Sequence, residues 1–333
     1  MITTFELRKL RLPPEGSVVS IGVFDGVHLG HQAILAANVR RAGELGAVPT
    51  VITFRRHPKQ LLLGRAPRTL TTLDHRLDLF ARAGIGHTLA LPFDEELRRK
   101  SAERFVGEVA EQGLGVRAFV LGFDSKFGRG REGTPEKIAA LGYDVEVVEK
   151  VLVGDRAVSS TAIREAVELG DLAGAAAMLG RPVAVWGKVV RGRRVGQNLG
   201  FPTANLDLQH GLHPPPGVYA CRARLVDANG DRRARPAVSN IGFRPTVSAE
   251  RPALPIVEVH ILDFAGELYG ERIELEFVAR LRGEERFPGL DALRAQIARD
   301  VAQAREILPA PAGEVDASEG RGQTARPSQP AGG

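Results

Sequence analysis

The sequence predicts an α/β domain with a parallel sheet, followed by a closed antiparallel β-barrel that ends in one helix. Three observations lead there. Between 17 and 168, short apolar runs alternate with amphipathic segments, the pattern of strand–helix units on a parallel sheet. Between 183 and 281, strand-type runs recur with no helical pattern between them, which points to a barrel. A chain of 333 residues has room for two domains of about 150 residues, each with its own core.

In the first half the predicted strands are 17–24, 47–54, 87–93, 117–123 and 144–151. Helices are predicted at His31–Arg41, His75–Arg82, Ala102–Glu111, Pro135–Leu141 and Thr161–Glu168. Asp171 reads as the N-cap of an Ala-rich connecting helix to Leu179, which Gly180 and Pro182 stop. The predicted domains are therefore 1–181 and 182–308. In the second, the runs 182–190, 217–226, 235–243, 255–264 and 271–281 read as strands. The closing helix, Leu290–Ile307, places Leu290, Leu293, Ile297, Val301 and Ala304 on one face. Residues 309–333 hold one aliphatic side chain larger than alanine, Val315. Such a tail cannot offset its ordering entropy and is expected to be disordered.

Apolar residues make up 43% and charged residues 26%, ordinary for globular protein. No stretch of 18 uncharged apolar residues occurs, so no membrane span is expected. The start of the chain lacks the apolar core of a secretory signal. The single cysteine, Cys221, excludes an intrachain disulfide and a cysteine metal cluster. A buried, inert thiol and a cytoplasmic location are the expectation. The formal charge of +5 suits anionic small molecules such as nucleotides. The basic runs 191–194 and 232–235 are short and carry no interleaved aromatics, so no nucleic-acid partner is expected.

The first predicted strand runs into Gly22-Val23-Phe24-Asp25-Gly26-Val27-His28-Leu29-Gly30-His31. A strand, a glycine-rich turn and a helix start form a phosphate site in α/β proteins. Gly26 and Gly30 let backbone approach a ligand closely. His28 and His31 point the same way at a helix start and can donate to phosphate oxygens. A zinc reading lacks a nearby cysteine or acidic pair, and a purely structural histidine pair is the alternative. No Walker-type loop occurs. A second anion site is Ser159-Ser160-Thr161, with Arg164 on the following helical turn. A third candidate loop runs from Leu121 to Gly130 and contains Asp124 and Phe127.

In this order, and with Thr53-Phe54-Arg55-Arg56-His57-Pro58, these motifs resemble the adenylyltransferase half of bacterial bifunctional riboflavin kinase/FAD synthetases. Ser125 and Lys126 depart from it where the family usually has Phe and Arg. The resemblance implies that FMN attacks the α-phosphorus of ATP and expels pyrophosphate. His28 and His31 would then act on the α-phosphate. Gly22, Phe24, Asp25, Gly26, Gly30, Ser159, Ser160, Thr161 and Arg164 would hold the nucleotide and its phosphates, with Asp124 and Phe127 toward the flavin.

The second half opens with a cationic, glycine-rich loop containing Gly187, Lys188 and Gly192, then Leu199-Gly200-Phe201-Pro202-Thr203-Ala204-Asn205. Thr203 and Asn205 face the same way on an extended segment and offer oxygen ligands that suit Mg²⁺. Glu258 lies in an apolar strand and shares a face with Ile256 and His260. It is either a solvent-facing strand glutamate or a base for alcohol phosphorylation. With 216–219, 239–246, 257–264, 268–270, 281–287 and 295–300, these segments resemble the riboflavin kinase domain of the same family. Gln197 departs, since members often carry a basic residue there.

The resemblance covers nearly the whole chain except the tail. It implies a six-stranded barrel, with Gly187, Lys188, Gly192 and Pro202 at ATP, Thr203 and Asn205 at Mg²⁺, Glu258 as general base and Arg282 toward the flavin. The expected activity is riboflavin to FMN and FMN to FAD, with ATP, riboflavin and FMN as small-molecule partners and flavin-requiring apoproteins as recipients of product. The rival readings are a single live domain, a transferase for another phosphate ester, and a non-catalytic flavin carrier. Loss of one preorganised donor costs about 10²–10³ in rate. His31→Ala should therefore slow FAD formation on that scale, read by chromatography of product from supplied FMN and ATP.

Overall fold

The computed structural model describes residues 1–6, 9, 15–109, 113–192, 199–208, 212–225, 233–243 and 255–308. The expected disordered tail and Gln197 lie outside the described residues. The first half contains β1 (Ile2–Thr4), β2 (Ser17–Ile21), α1 (Leu29–Leu45), β3 (Val48–Phe54), α2 (Lys59–Leu63), α3 (Leu73–Arg82), β4 (His87–Leu91), α4 (Glu95–Arg99), α5 (Ala102–Val109), β5 (Val116–Gly122), α6 (Pro135–Ala140) and β6 (Val145–Val148). The strands form one parallel sheet in the order β1-β4-β3-β2-β5-β6. The order reverses at β2, so the carboxyl ends of β2 and β5 open a crevice where such sheets bind ligands.

Every residue of β2 is buried. One face of α1 covers the sheet through Leu35, Asn38 and Ala42, at helical spacing. Asn38 is the polar rivet: its amide donates to Val18 O at 3.1 Å, Ser20 Oγ at 2.9 Å and Thr50 O at 3.2 Å. It therefore fixes α1 to two strands at once. Gly46, at φ 57°, ends the helix in the left-handed region.

Two local expectations are corrected and one unpredicted strand is added. The run 144–151 is a strand only to Val148, after which β7 (Leu152–Val153) and β8 (Arg156–Ala157) make a tight hairpin. β1 is only three residues long and half exposed, too short for a periodic signal. The closing helix begins as expected, but Leu290 is 65% exposed and does not join the packed face.

After α7 (Ser160–Leu169) and α8 (Leu172–Leu179), the chain enters β9 (Val183–Val190), β10 (Ala204–Leu208), β11 (Gly217–Leu225), β12 (Ala234–Phe243), β13 (Pro255–Ile261) and β14 (Arg272–Arg282), and ends in α9 (Leu290–Ile307). The six strands close as β10-β13-β12-β11-β14-β9, all antiparallel. β10, absent from the apolar runs above, spans only five residues, in which Leu206 and Leu208 alternate with Asn205 and the exposed Asp207. Tyr219, Cys221, Ile241, Val257 and Leu275 fill the interior. Burial pushes the Cys221 thiol well above its ordinary range, which keeps it protonated and inert. On the outer wall, α9 packs Ala304, Val301 and Ile307 against Val218, Ala220 and Val238.

The core does not break where the pattern changes near 182. Ile163, Val167, Met178 and Leu179 belong to the same apolar cluster as the barrel interior. A polar seam adds to this contact. His75 of α3 stacks on Trp186 with centroids 4.8 Å apart and rings 12° from parallel. Its Nε2 lies 3.3 Å from Glu274 Oε1, and Arg82 Nη2 lies 3.1 Å from Glu274 Oε2. Burial works against the Glu274 charge, but His75 and Arg82 outweigh it and hold the carboxyl at about 2.

A carboxyl depressed in the folded state stabilises above its unfolded range near 4.5 and loses that contribution as pH falls toward about 2. Glu274→Gln should destabilise the chain at pH 7 by about 2–3 kcal/mol. It should also flatten the dependence of stability on pH between 4.5 and about 2. Urea unfolding at stepped pH measures both.

Candidate active sites

The turn from β2 into α1 carries unusual backbone. Phe24 (φ 52°) and Val27 (φ 40°) sit in the left-handed region, which costs a non-glycine residue about 1–3 kcal/mol and survives only where neighbours dictate it. Gly26 is at φ 85°, and a Cβ there would stand 2.7 Å from Leu70 Cδ1. Asp25 supplies the constraint. It is 3% exposed and accepts from Leu70 N at 3.0 Å, Thr71 N at 3.1 Å and Arg164 Nη2 at 2.8 Å. Ser160 Oγ donates to Asp25 O at 3.0 Å.

The structure thus brings two distant predicted segments together. Their roles divide. Ser160 and Arg164 grip the turn, Ser159 caps α7 by accepting from Ala162 N at 3.2 Å, and Thr161 is exposed.

His28 is the N-cap of α1 and its Nδ1 accepts from His31 N at 3.4 Å. The two rings stack at 3.6 Å and 16°, and Phe24 meets His31 edge-on at 5.1 Å. Gly22 and Gly30 fit close beside these rings: added Cβ atoms would lie 3.0 Å from Phe24 and 3.3 Å from His28. Burial, with smaller effects of Arg181 and Arg164 against an opposing Asp25, lowers the His28 pKa to about 4. Burial, then His28, Arg76 and Arg181, pushes His31 well below its ordinary value. Both imidazoles are therefore neutral at pH 7. With His28 Nδ1 assigned as acceptor, its N–H is at Nε2, beside the positive end of a helix.

Two cavities flank the turn. One, of about 550 Å³, is polar and cationic, lined by Asp25, Arg55, Arg56, His57, Thr71 and Arg76. The other, of about 510 Å³, is aromatic, lined by Phe54, Phe93, Phe105 and Phe127 with Lys126 and Arg129 at its edge. Val23 and His57 line both. Phe127 is where a flavin contact was expected, whereas Asp124 is exposed and lines neither. Sequence reasoning placed no role on Phe93, Phe105 or Arg76. Each lies in a helix or loop with no motif around it, and only the folded chain brings them here. Phe54 and His57 did have a signal, in the segment 53–58.

In the barrel, Val257, Val259 and Ile261 point inward and are buried, while Glu258 and His260 face out. A cavity of about 360 Å³ lies between this wall and α9, lined by Thr203, Asn240, Glu258, Arg282, Phe287 and Asp300, among others. Glu258 stands in register with Asn205 of β10 and Asn240 of β12. It makes no hydrogen bond or ion pair among the described residues. Arg282 is held, donating to Asp300 at 2.8 and 3.0 Å and lying over Phe287 at 5.5 Å. Asn205 is buried, and a Cβ on Gly192 would stand 2.1 Å from its Nδ2. Gly187 backs onto Leu206, with 2.9 Å for an added Cβ. Lys188 is exposed on β9, and Pro202 O accepts from His260 Nδ1 at 2.8 Å.

A tight turn bearing a histidine pair in one half and, in the other, a carboxylate over a cavity with no partner among the described residues fit a transferase with two centres. Comparison with known proteins sharpens this. Residues 11–162 match the FAD synthetase family and residues 179–308 the riboflavin kinase family. Curated relatives called bifunctional riboflavin kinase/FMN adenylyltransferase include proteins of Escherichia coli strain K12 (38% identical, 89% of this chain, 94% of the relative) and Pseudomonas fluorescens (39%, 90% and 96%). The Bacillus subtilis relative is 35% identical over 86% of this chain and 91% of its own. A solved Streptococcus pneumoniae structure titled a macrolide-efflux protein aligns over 91% of this chain and 98% of its own, with a TM-score of 0.78 and 27% identity. Among the described residues here, no helix is long and apolar enough to cross a membrane. The chain belongs to the bifunctional riboflavin kinase/FAD synthetase family.

The close approach at Gly192 gives a direct check. Gly192→Ala should displace Asn205 and lower FMN formation from riboflavin by about tenfold or more. FAD formation from supplied FMN should be unchanged in the same preparation.

Proposed function

We propose that the barrel phosphorylates riboflavin and that the α/β domain adenylylates the resulting FMN, each with its own ATP. The observation that carries the kinase half is the Asn205–Glu258–Asn240 level on three adjacent strands, with Glu258 turned to the cavity. Glu258 takes the proton of the riboflavin 5′-hydroxyl as that oxygen attacks the γ-phosphorus and ADP departs. Arg282, held by Asp300 at the cavity wall, is assigned to the flavin.

Thr203 and Asn205 fit Mg²⁺. Both offer neutral oxygens, and Mg²⁺ on nucleotide phosphates needs few protein ligands. When bound, the ion offsets charge on the transferring phosphate. Gly187, Lys188, Gly192 and Pro202 are assigned to the same nucleotide, with the Lys188 ammonium near its phosphates.

In the α/β domain the FMN phosphate attacks the α-phosphorus and pyrophosphate leaves. The nucleophile is already ionised, so no base is needed. Catalysis is then positioning and charge stabilisation. Neutral His28 and His31 donate N–H bonds to the α-phosphate oxygens as charge builds. The cationic cavity suits the phosphates and the aromatic one the isoalloxazine. Four phenylalanines supply that ring surface, which makes the Ser125 and Lys126 departures compatible with flavin binding. FAD released from this site is the product that flavin-requiring apoproteins would take up in a reducing, cytoplasmic setting.

Incubation with riboflavin, ATP and Mg²⁺, followed by chromatography, should show FMN first and FAD after it. FMN accumulating alone would confine activity to the barrel, and no product from folded protein would leave a carrier. Glu258→Gln should cut FMN formation at least about 10³-fold and leave FAD formation from FMN intact. Equal loss of both activities would argue against two separate centres.

A further inference from the structure

The phosphate turn is held in part by a residue outside the segment that matches the FAD synthetase family. Arg181 follows α8 at the entry to the barrel, outside the 11–162 match and inside the 179–308 match. Its Nη2 donates to Gly26 O at 2.6 Å and its Nη1 to Val27 O at 3.1 Å. Gln32 reinforces the junction, donating to Val27 O at 2.9 Å and Leu179 O at 2.7 Å. Gly180 packs so tightly on the first residue of α1 that an added Cβ would lie 2.6 Å from Leu29 Cδ2. Arg181 makes no ion pair among the described residues, and its Nε is buried without a partner. Its Nη1 also donates to Leu179 O at 3.4 Å, so two of its three hydrogen bonds go to a strained turn, an expensive arrangement for a half-buried guanidinium if the turn needs only to exist.

We propose that Arg181 is a positioning residue for adenylyl transfer: its planar fork fixes the Gly26–Val27 peptides, and through them the aim of His28 and His31. The inference rests on the adenylyl-transfer reading above. Both carbonyls belong to residues at positive φ, 85° at Gly26 and 40° at Val27, of which Val27 is in a costly conformation for a side chain, and His28 follows directly. The fork geometry matters as much as the charge. A lysine ammonium is a single point and cannot hold two carbonyls in one plane. The FAD-forming centre is therefore incomplete without a residue from the threshold of the kinase barrel.

The test uses the full chain and both its activities. Arg181→Ala should lower kcat for FAD formation about 10- to 100-fold, with the KM for ATP changed by less than about threefold. Riboflavin phosphorylation in the same preparation should be unchanged, which reports that the chain is folded. Millimolar guanidinium should restore part of the lost FAD-forming rate in Arg181→Ala and leave the parent chain unaffected. Arg181→Lys should fall between the two. FAD formation within twofold of the parent, a loss shared equally by both activities, or a loss that guanidinium does not relieve would each overturn the proposal. His31→Ala run in parallel separates the two claims: full activity there removes the histidine role, while the Arg181 variants still report on the turn.

Discussion

The buried Asp25 carboxylate is the constraint on which the α/β site depends. It sits in a turn where Phe24 and Val27 occupy costly backbone conformations, and it accepts from two separate parts of the chain. The amides of Leu70 and Thr71 come from the segment before α3. The guanidinium of Arg164 comes from α7. The backbone carbonyl of Asp25 takes a further bond from Ser160. A carboxylate in so dry a place is tolerable only with this full set of donors. The histidines owe their geometry to the same knot, because they begin the helix that the turn feeds.

Much of this architecture could be read in the sequence, for reasons particular to its elements. β2, β3 and β5 are fully or mostly buried runs of five to seven residues, and a parallel strand buried on both faces has a strong apolar signal. Asp171 and Gly180 bounded α8 as capping chemistry requires. What stayed hidden has a common physical cause. β10 has an exposed Asp207 in a five-residue strand, and β1 is held by pairing with β4 rather than by its own pattern. Elements of three to five residues are too short for a periodic pattern to stand out.

The sites divide in the same way. The histidine pair, Ser160, Arg164, Thr203, Asn205 and Glu258 stood in compact motifs and could be singled out one by one. Arg164, however, is engaged with Asp25 rather than directed at open space, a fact that no spacing encodes. The aromatic walls of Phe93 and Phe105 and the cation of Arg76 come from scattered positions. Arg181 is hidden for another reason: it reads as part of a helix stop, Gly180-Arg181-Pro182, and its partners lie about 155 positions away in the chain.

The apolar cluster that runs unbroken from α7 and α8 into the barrel limits how such a protein could have been assembled or could be taken apart. Ile163, Val167, Met178 and Leu179 on one side and Val183, Val185 and Tyr219 on the other are all buried in one mass. A genetic cut at the apparent seam would bare greasy surface on both fragments and invite clumping. Swapping halves between distant relatives would demand matched surfaces as well as matched chemistry. The two centres thus stand on one welded body.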